Sequence, residues 1–175
     1  MALLRGINVG GKNLLPMKDL ARLFAEAGCA DIRTYIQSGN VLFSANETKA
    51  GALPGLIANG IADRFGYRTP VLLRTVQELG ETIRGNPFRQ AGSPENWLHV
   101  LFLASQPDAV RVAALEPERS PPDAYAVRGR EIYLQCPNGV GVTKLTNAWF
   151  DSRLATISTG RNWRTLLKLF ELAQG

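Results

Sequence analysis

The fold is decided by one stretch, Ile32-Arg33-Thr34-Tyr35-Ile36-Gln37-Ser38-Gly39-Asn40-Val41-Leu42-Phe43. On both sides of Ser38-Gly39, apolar or β-branched residues alternate with polar ones, and this period of two is typical of half-buried strands. Serine and glycine are residues that turns select on backbone grounds. The stretch therefore predicts a β-hairpin with its turn at Ser38-Gly39.

The elements around this hairpin complete a known order. A strand is predicted over residues 2–5, and a helix begins at Pro16 and ends at Gly28, because proline suits the first helical position and glycine follows the last. A second helix lies between residues 49 and 65, and a strand covers residues 70–73. Strand, helix, strand, strand, helix, strand is the βαββαβ plait of ferredoxin-like folds.

The second half repeats this order less completely. We predict a strand over residues 97–103, a helix over 107–115, a hairpin around Gly129-Arg130 and a helix over 143–154. No last strand is evident in the sequence. Instead, Thr159 is expected to cap a final helix.

These patterns together predict an α+β protein. It has two ferredoxin-like subdomains, residues 1–85 with a connector helix and residues 86–175. The second subdomain is expected to be incomplete, with a C-terminal helix where its last strand would be.

The chain is basic, with a net charge of +5, which favours an anionic partner. The excess is concentrated at two places: residues 1–18 and residues 152–170 each contain lysine or arginine and no acid. No apolar run reaches the roughly 18 residues that a membrane span requires, and no signal peptide is evident. We therefore expect a cytoplasmic protein without a membrane partner, and no protein partner is evident.

A glycine-rich loop follows the first strand, with the sequence Arg5-Gly6-Ile7-Asn8-Val9-Gly10-Gly11-Lys12-Asn13. The GxxxxGK pattern of a phosphate-binding loop is complete, but Asn13 stands where nucleotide hydrolysis needs Ser or Thr to hold magnesium. Binding of an anionic or polar ligand without hydrolysis is the favoured interpretation, through Arg5, Asn8, Gly10, Gly11, Lys12 and Asn13. The alternative is that the glycines only permit positive φ angles in a tight connection.

Two further polar motifs could complete such a site. The hairpin tip carries Gln37, Ser38 and Asn40, although a turn alone would also select serine and asparagine. Near the C-terminus, Arg161 is expected in the first turn of the last helix, where a cation is unfavourable unless an anion binds there. An anion held by Thr159, Arg161 and Asn162 is one explanation, and an ion pair with a distant carboxylate is the other.

Catalytic residues are not assigned by the sequence. The only histidine, His99, falls on the same strand face as Leu101 and Leu103 and is predicted to be structural. Cys29 and Cys136 are predicted to be free structural thiols without metal-ligand spacing. Because no triad, metal centre or cofactor motif can be assembled, the sequence leaves open whether the chain is an enzyme.

At these motifs the chain resembles a bacterial family known as domain of unknown function 1697. The matching segments are residues 2–13, residues 35–43, and Thr159-Gly160-Arg161-Asn162-Trp163 with Thr165. The resemblance implies a cytosolic α+β protein built from plait-like subdomains, and it implies no particular activity.

Three functions therefore remain open. The first is a module that binds an anionic ligand, nucleotide-like or nucleic acid, at a site formed by the three motifs. The second is an enzyme of phosphoryl or nucleotidyl chemistry in which Lys12 and Arg161 stabilise charge. The third is a structural or protein-interaction module whose motifs serve fold integrity.

Overall fold

The computed structural model describes the backbone of residues 1–175 and all side chains except those of residues 47–49. It divides into two compact units, Met1–Val76 with Ala173–Gly175, and Gln77–Leu172. The division expected from the sequence, between residues 85 and 86, falls after the connector helix, whereas the division in the structure falls at the start of that helix.

The first unit has the predicted order of elements. Its four strands are β1 (Ala2–Leu4), β2 (Ala30–Tyr35), β3 (Asn40–Ser44) and β4 (Val71–Leu73), and its helices are α1 (Met17–Glu26) and α2 (Glu47–Phe65). The strands form an antiparallel sheet in the order β2-β3-β1-β4. This is the ferredoxin-like arrangement, in which the first strand lies at the centre between the third and the fourth.

Burial in the first unit follows the apolar pattern of its sequence. Helix α1 buries Leu20, Leu23 and Phe24, which recur at helical spacing and so form one face. They pack with residues of β1 and α2 in one hydrophobic core. The apolar strand β1 is fully buried, whereas the edge strand β2 is largely exposed.

The second unit contains a complete sheet of its own. Its strands are β5 (Leu98–Leu103), β6 (Ala124–Arg128), β7 (Glu131–Gln135) and β8 (Ser158–Asn162). Its helices are α3 (Val76–Arg84), α4 (Pro87–Gln90), α5 (Ala109–Ala113), α6 (Asn147–Leu154) and α7 (Trp163–Gln174), although the first residue of α3 and the last two of α7 belong to the first unit. The strand order β6-β7-β5-β8 repeats the arrangement of the first sheet. All neighbouring strands are antiparallel.

The expectation that the second subdomain lacks its last strand is wrong. Strand β8 pairs with β5 over five positions, from His99 opposite Asn162 to Leu103 opposite Ser158. Its buried side chains are polar, namely Ser158, Thr159 and Arg161, on both faces of the strand. The rule that buried strand positions are apolar therefore fails at this edge strand. The predicted C-terminal helix is present as α7, and it follows the strand instead of replacing it.

Candidate functional site

The glycine-rich loop is a small β-hairpin. Val9 and Lys12 form an isolated antiparallel bridge, in which the Lys12 amide donates to the Val9 carbonyl at 3.0 Å. Between them Gly10 and Gly11 have φ angles of 58° and 73°. Positive φ at both central residues is the requirement of a type I′ hairpin turn. One pair further out, the Asn8 amide donates to the Asn13 carbonyl at 3.1 Å. We call residues 8–13 the Gly-rich hairpin.

This geometry differs from that of a phosphate-binding loop. In a P-loop the backbone amides point at the phosphates and the helix begins at the conserved lysine. Here the amides of Asn8 and Lys12 are used inside the hairpin, and helix α1 begins only at Met17. The glycines therefore serve the turn, as in the alternative interpretation of the motif.

Two asparagines hold the Gly-rich hairpin in place. The Asn8 side chain accepts a hydrogen bond from the Leu15 amide at 2.8 Å and donates to the carbonyls of Leu15 and Gln37 at 3.0 and 2.8 Å. The Asn13 side chain donates to the Gly6 carbonyl at 3.0 Å. Both residues have positive φ angles, which asparagine tolerates better than most residues. The bond from Asn8 to Gln37 joins this loop directly to the turn between β2 and β3.

The turn between β2 and β3 is organised by Asn40. This side chain is fully buried and donates to the Tyr35 carbonyl at 3.1 Å and to the Ser38 hydroxyl at 2.9 Å. Ile36 has a φ of 49°, which is strained for a β-branched residue, and its side chain is exposed. Gln37 is exposed as well. The amide of Asn40 therefore builds the turn, whereas the side chain of Gln37 faces solvent.

The C-terminal motif lies in strand β8, so placing Arg161 in the first turn of the last helix is wrong. Arg161 is buried, and its guanidinium donates to the Thr159 hydroxyl at 3.0 Å and to the Gly160 carbonyl at 2.7 Å. Burial lowers the pKa of Arg161 to about 10, because a charged group loses its hydration there. The guanidinium remains charged at neutral pH.

The cap of helix α7 is Asn162, and the prediction that Thr159 caps this helix is also wrong. The Asn162 side chain accepts a hydrogen bond from the Thr165 amide at 2.8 Å. This is the usual bond from an N-cap side chain to the third residue of the helix. The polar residues Thr159 and Asn162 are both used in local structure, one within the strand and one at the helix start.

The predicted site residues thus fall into two groups. The predicted site residues between positions 5 and 13 and between positions 37 and 40 lie in the first unit. The hydrogen bond from the Asn8 side chain to the Gln37 carbonyl brings these two segments together. Thr159, Arg161 and Asn162 belong to the second unit. Within the first unit, Lys12 is exposed and forms no ion pair with any side chain that the structure describes.

The remaining reactive residues are placed as structural groups. His99 is half-buried, and desolvation lowers its pKa, with the Trp97 backbone acting in the opposite direction. Cys29 and Cys136 are thiols outside any disulfide, and burial raises the pKa of the Cys136 thiol to about 11. Trp163 is 1% exposed. Among the described side chains, no group of three His, Cys, Asp or Glu residues could hold a metal ion.

One feature of the structure was not predicted from the sequence. A cleft of about 410 Å³ lies in the second unit between α3 and the β6–β7 turn. Its residues come from separate elements and carry charges of both signs, so no motif pointed to them. The only advance signal was the hairpin predicted around Gly129-Arg130, whose turn forms one wall.

The fold defines an α+β protein with two four-stranded antiparallel sheets of ferredoxin-like order. The chain belongs to the family described as protein of unknown function (DUF1697), which matches residues 1–133. Among solved structures, it is similar to the conserved bacterial protein SP0830 from Streptococcus pneumoniae, with a TM-score of 0.69 and 20% identity. That match covers 98% of this chain and 96% of the other. No curated protein matches the chain. Across the described residues, no helix has the length and hydrophobicity needed to cross a membrane.

Proposed function

We propose that the chain binds an extended anionic ligand, a nucleic acid, through the Gly-rich hairpin. The observation that carries the proposal is an exposed hairpin with Lys12 beside its turn. The hairpin belongs to residues 1–18, which contain no acidic residue. Arg5 and Lys18 lie in the same segment. A surface of one charge sign raises the local concentration of a ligand of opposite sign.

The geometry of the hairpin favours an extended polyanion over a free nucleotide. A mononucleotide is held by backbone amides directed at its phosphates. In the Gly-rich hairpin the amides of Asn8 and Lys12 already bond to carbonyls, and residues 9–14 are all exposed. An exposed surface can bind a ligand through the charge of its side chains, and this mode of binding suits the phosphate backbone of a nucleic acid. The affinity of such a complex comes largely from the release of counterions.

The experiment measures the affinity for a single-stranded RNA by fluorescence anisotropy at several salt concentrations. Lys12→Ala should weaken binding at every salt concentration and reduce the slope of log K against log salt by about 0.7, the value for the loss of one phosphate contact on a single strand. The matched control is Lys144→Ala, which removes the same charge from an exposed position in the second unit. Equal affinities and slopes for Lys12→Ala and the wild type would refute the proposal.

A second role is favoured for the asparagines of the same motifs. Asn8 and Asn40 direct their side-chain amides at backbone carbonyls of their own unit, and Asn40 is fully buried. Such side chains serve fold integrity, as the third hypothesis from the sequence supposes. Their replacement should therefore lower stability, with RNA affinity per folded molecule unchanged, and this separates them from Lys12.

A further inference from the structure

The cleft in the second unit combines a tyrosine hydroxyl with charged side chains in its lining. Tyr133 lines the cleft and is 3% exposed, and its hydroxyl makes no hydrogen bond to any described residue. The hydroxyl oxygen is not among the buried side-chain atoms that lack a partner, so it is accessible from the cleft and can donate a hydrogen bond to a bound molecule. Burial and the Glu131 carboxylate raise the pKa of Tyr133 to about 12, so the phenol is neutral and able to donate.

Gly85 keeps the approach to this hydroxyl open. A Cβ atom at this position would lie 3.0 Å from the Tyr133 hydroxyl oxygen and 3.0 Å from the Glu81 carbonyl oxygen. Both distances are shorter than ordinary van der Waals contact. Any larger residue would therefore press on the hydroxyl and fill space at the end of helix α3. The missing side chain and the unpartnered hydroxyl face the same cleft.

Arg128 and Glu81 are charged groups of opposite sign in the lining of the cleft. Arg128 donates to the Gly85 carbonyl at 2.8 Å, and Glu81 accepts from the Gln77 amide at 3.0 Å. Neither charged group forms an ion pair with a described residue. By contrast, Arg130 and Glu78, which also line the cleft, pair with each other. The lining contains three carboxylates and two guanidinium groups, so it disfavours a polyanion.

We infer that this cleft binds a small zwitterion of the amino-acid type. The ligand carboxylate accepts hydrogen bonds from the Tyr133 hydroxyl and the Arg128 guanidinium. Its ammonium group pairs with Glu81. The volume is within the range of small-molecule sites, and the polar lining suits a ligand that carries both charges close together. This site is separate from the Gly-rich hairpin and does not depend on it.

The test follows backbone amide resonances of the full chain in proton–nitrogen correlation spectra during addition of L-glutamine at millimolar concentration. Two matched probes each lack one charge: glutaramate has no ammonium group, and γ-aminobutyramide has no carboxylate. L-glutamine should shift resonances of α3 and of the β6–β7 turn. Each single-charge probe should bind at least tenfold more weakly.

Two variants tie the result to named groups. Tyr133→Phe removes the hydroxyl and keeps the ring, and Glu81→Gln removes the charge and keeps the shape, so each should weaken glutamine binding tenfold or more. Glu118→Gln makes the same change at an exposed position outside the cleft lining and should leave binding unchanged. The inference is overturned if glutamine shifts no cleft resonance, if either probe matches it, or if both variants bind like wild type.

Discussion

Replacing Gly39 by alanine tests how closely the β2–β3 turn packs on the first core. Gly39 is buried with a φ of 75°, and its carbonyl accepts a hydrogen bond from the Leu4 amide at 2.8 Å. A Cβ atom there would lie 2.7 Å from the Leu4 Cβ and 2.9 Å from the Ile7 Cδ1. The Leu4 Cβ is fixed to the backbone of the central strand, so no rotamer change moves it away.

Two effects add in Gly39→Ala. A left-handed backbone costs an L-residue about 1–2 kcal/mol. Forcing an extra carbon into a packed core costs about 1–3 kcal/mol more. We therefore expect the free energy of unfolding of the first unit to fall by about 2–5 kcal/mol.

The control is Gly10→Ala in the Gly-rich hairpin. Gly10 has a φ of 58°, and a Cβ there meets nothing within 4 Å, so only the backbone strain applies. Urea unfolding followed by far-UV circular dichroism measures both variants. All three tryptophans lie in the second unit, so tryptophan fluorescence in the same titration reports on the unfolding of that unit. Equal destabilisation by Gly39→Ala and Gly10→Ala would refute the packing argument.

Three further predictions concern stability and reactivity. Asn8→Gly keeps a residue suited to positive φ but removes three hydrogen bonds, so the free energy of unfolding should fall by about 1–3 kcal/mol in urea titrations; no loss would show that solvent replaces these bonds. Because the pKa of His99 is lowered in the folded state, the unfolded state binds more protons, and the free energy of unfolding should fall as the pH drops below 6.5. The variant His99→Gln should reduce this pH dependence. An NMR titration that gives His99 a pKa at or above 6.5 would contradict the prediction. A thiol reagent should label half-buried Cys29 first and Cys136 only on unfolding, since Cys136 is fully buried with its pKa raised to about 11; mass spectrometry of partly labelled protein distinguishes the two.

The plait order was predictable because most strands follow simple rules. The hairpin at Ser38-Gly39 alternates, and helix α1 is framed by Pro16 and Gly28. Strand β8 was missed because its buried positions are polar and its sequence, from Ser158 to Asn162, contains good helix-capping residues. A cap does lie there, at Asn162, three residues later than expected. The sequence therefore correctly indicated a helix cap in this segment but placed it three residues too early.

The candidate site was harder to predict than the fold. Sequence identified Gly10, Gly11 and Lys12 as one polar loop, but the GxxxxGK spacing does not distinguish amides that bind phosphate from amides that bond across a hairpin. That distinction depends on which carbonyls lie opposite, such as Val9 opposite Lys12. The cleft around Tyr133 depends entirely on tertiary structure, because its walls come from α3 and a distant turn.

The two sheets share one permutation of strands, β2-β3-β1-β4 and β6-β7-β5-β8. The β2–β3 turn and the β6–β7 turn are therefore topological counterparts, one joined to the Gly-rich hairpin and the other forming a wall of the cleft. Each turn belongs to a sheet with its own hydrophobic core. A substitution at one turn thus acts first on the sheet and core to which that turn belongs. The repeat therefore gives the chain two equivalent turn positions, one in each sheet, at which the sequence can vary.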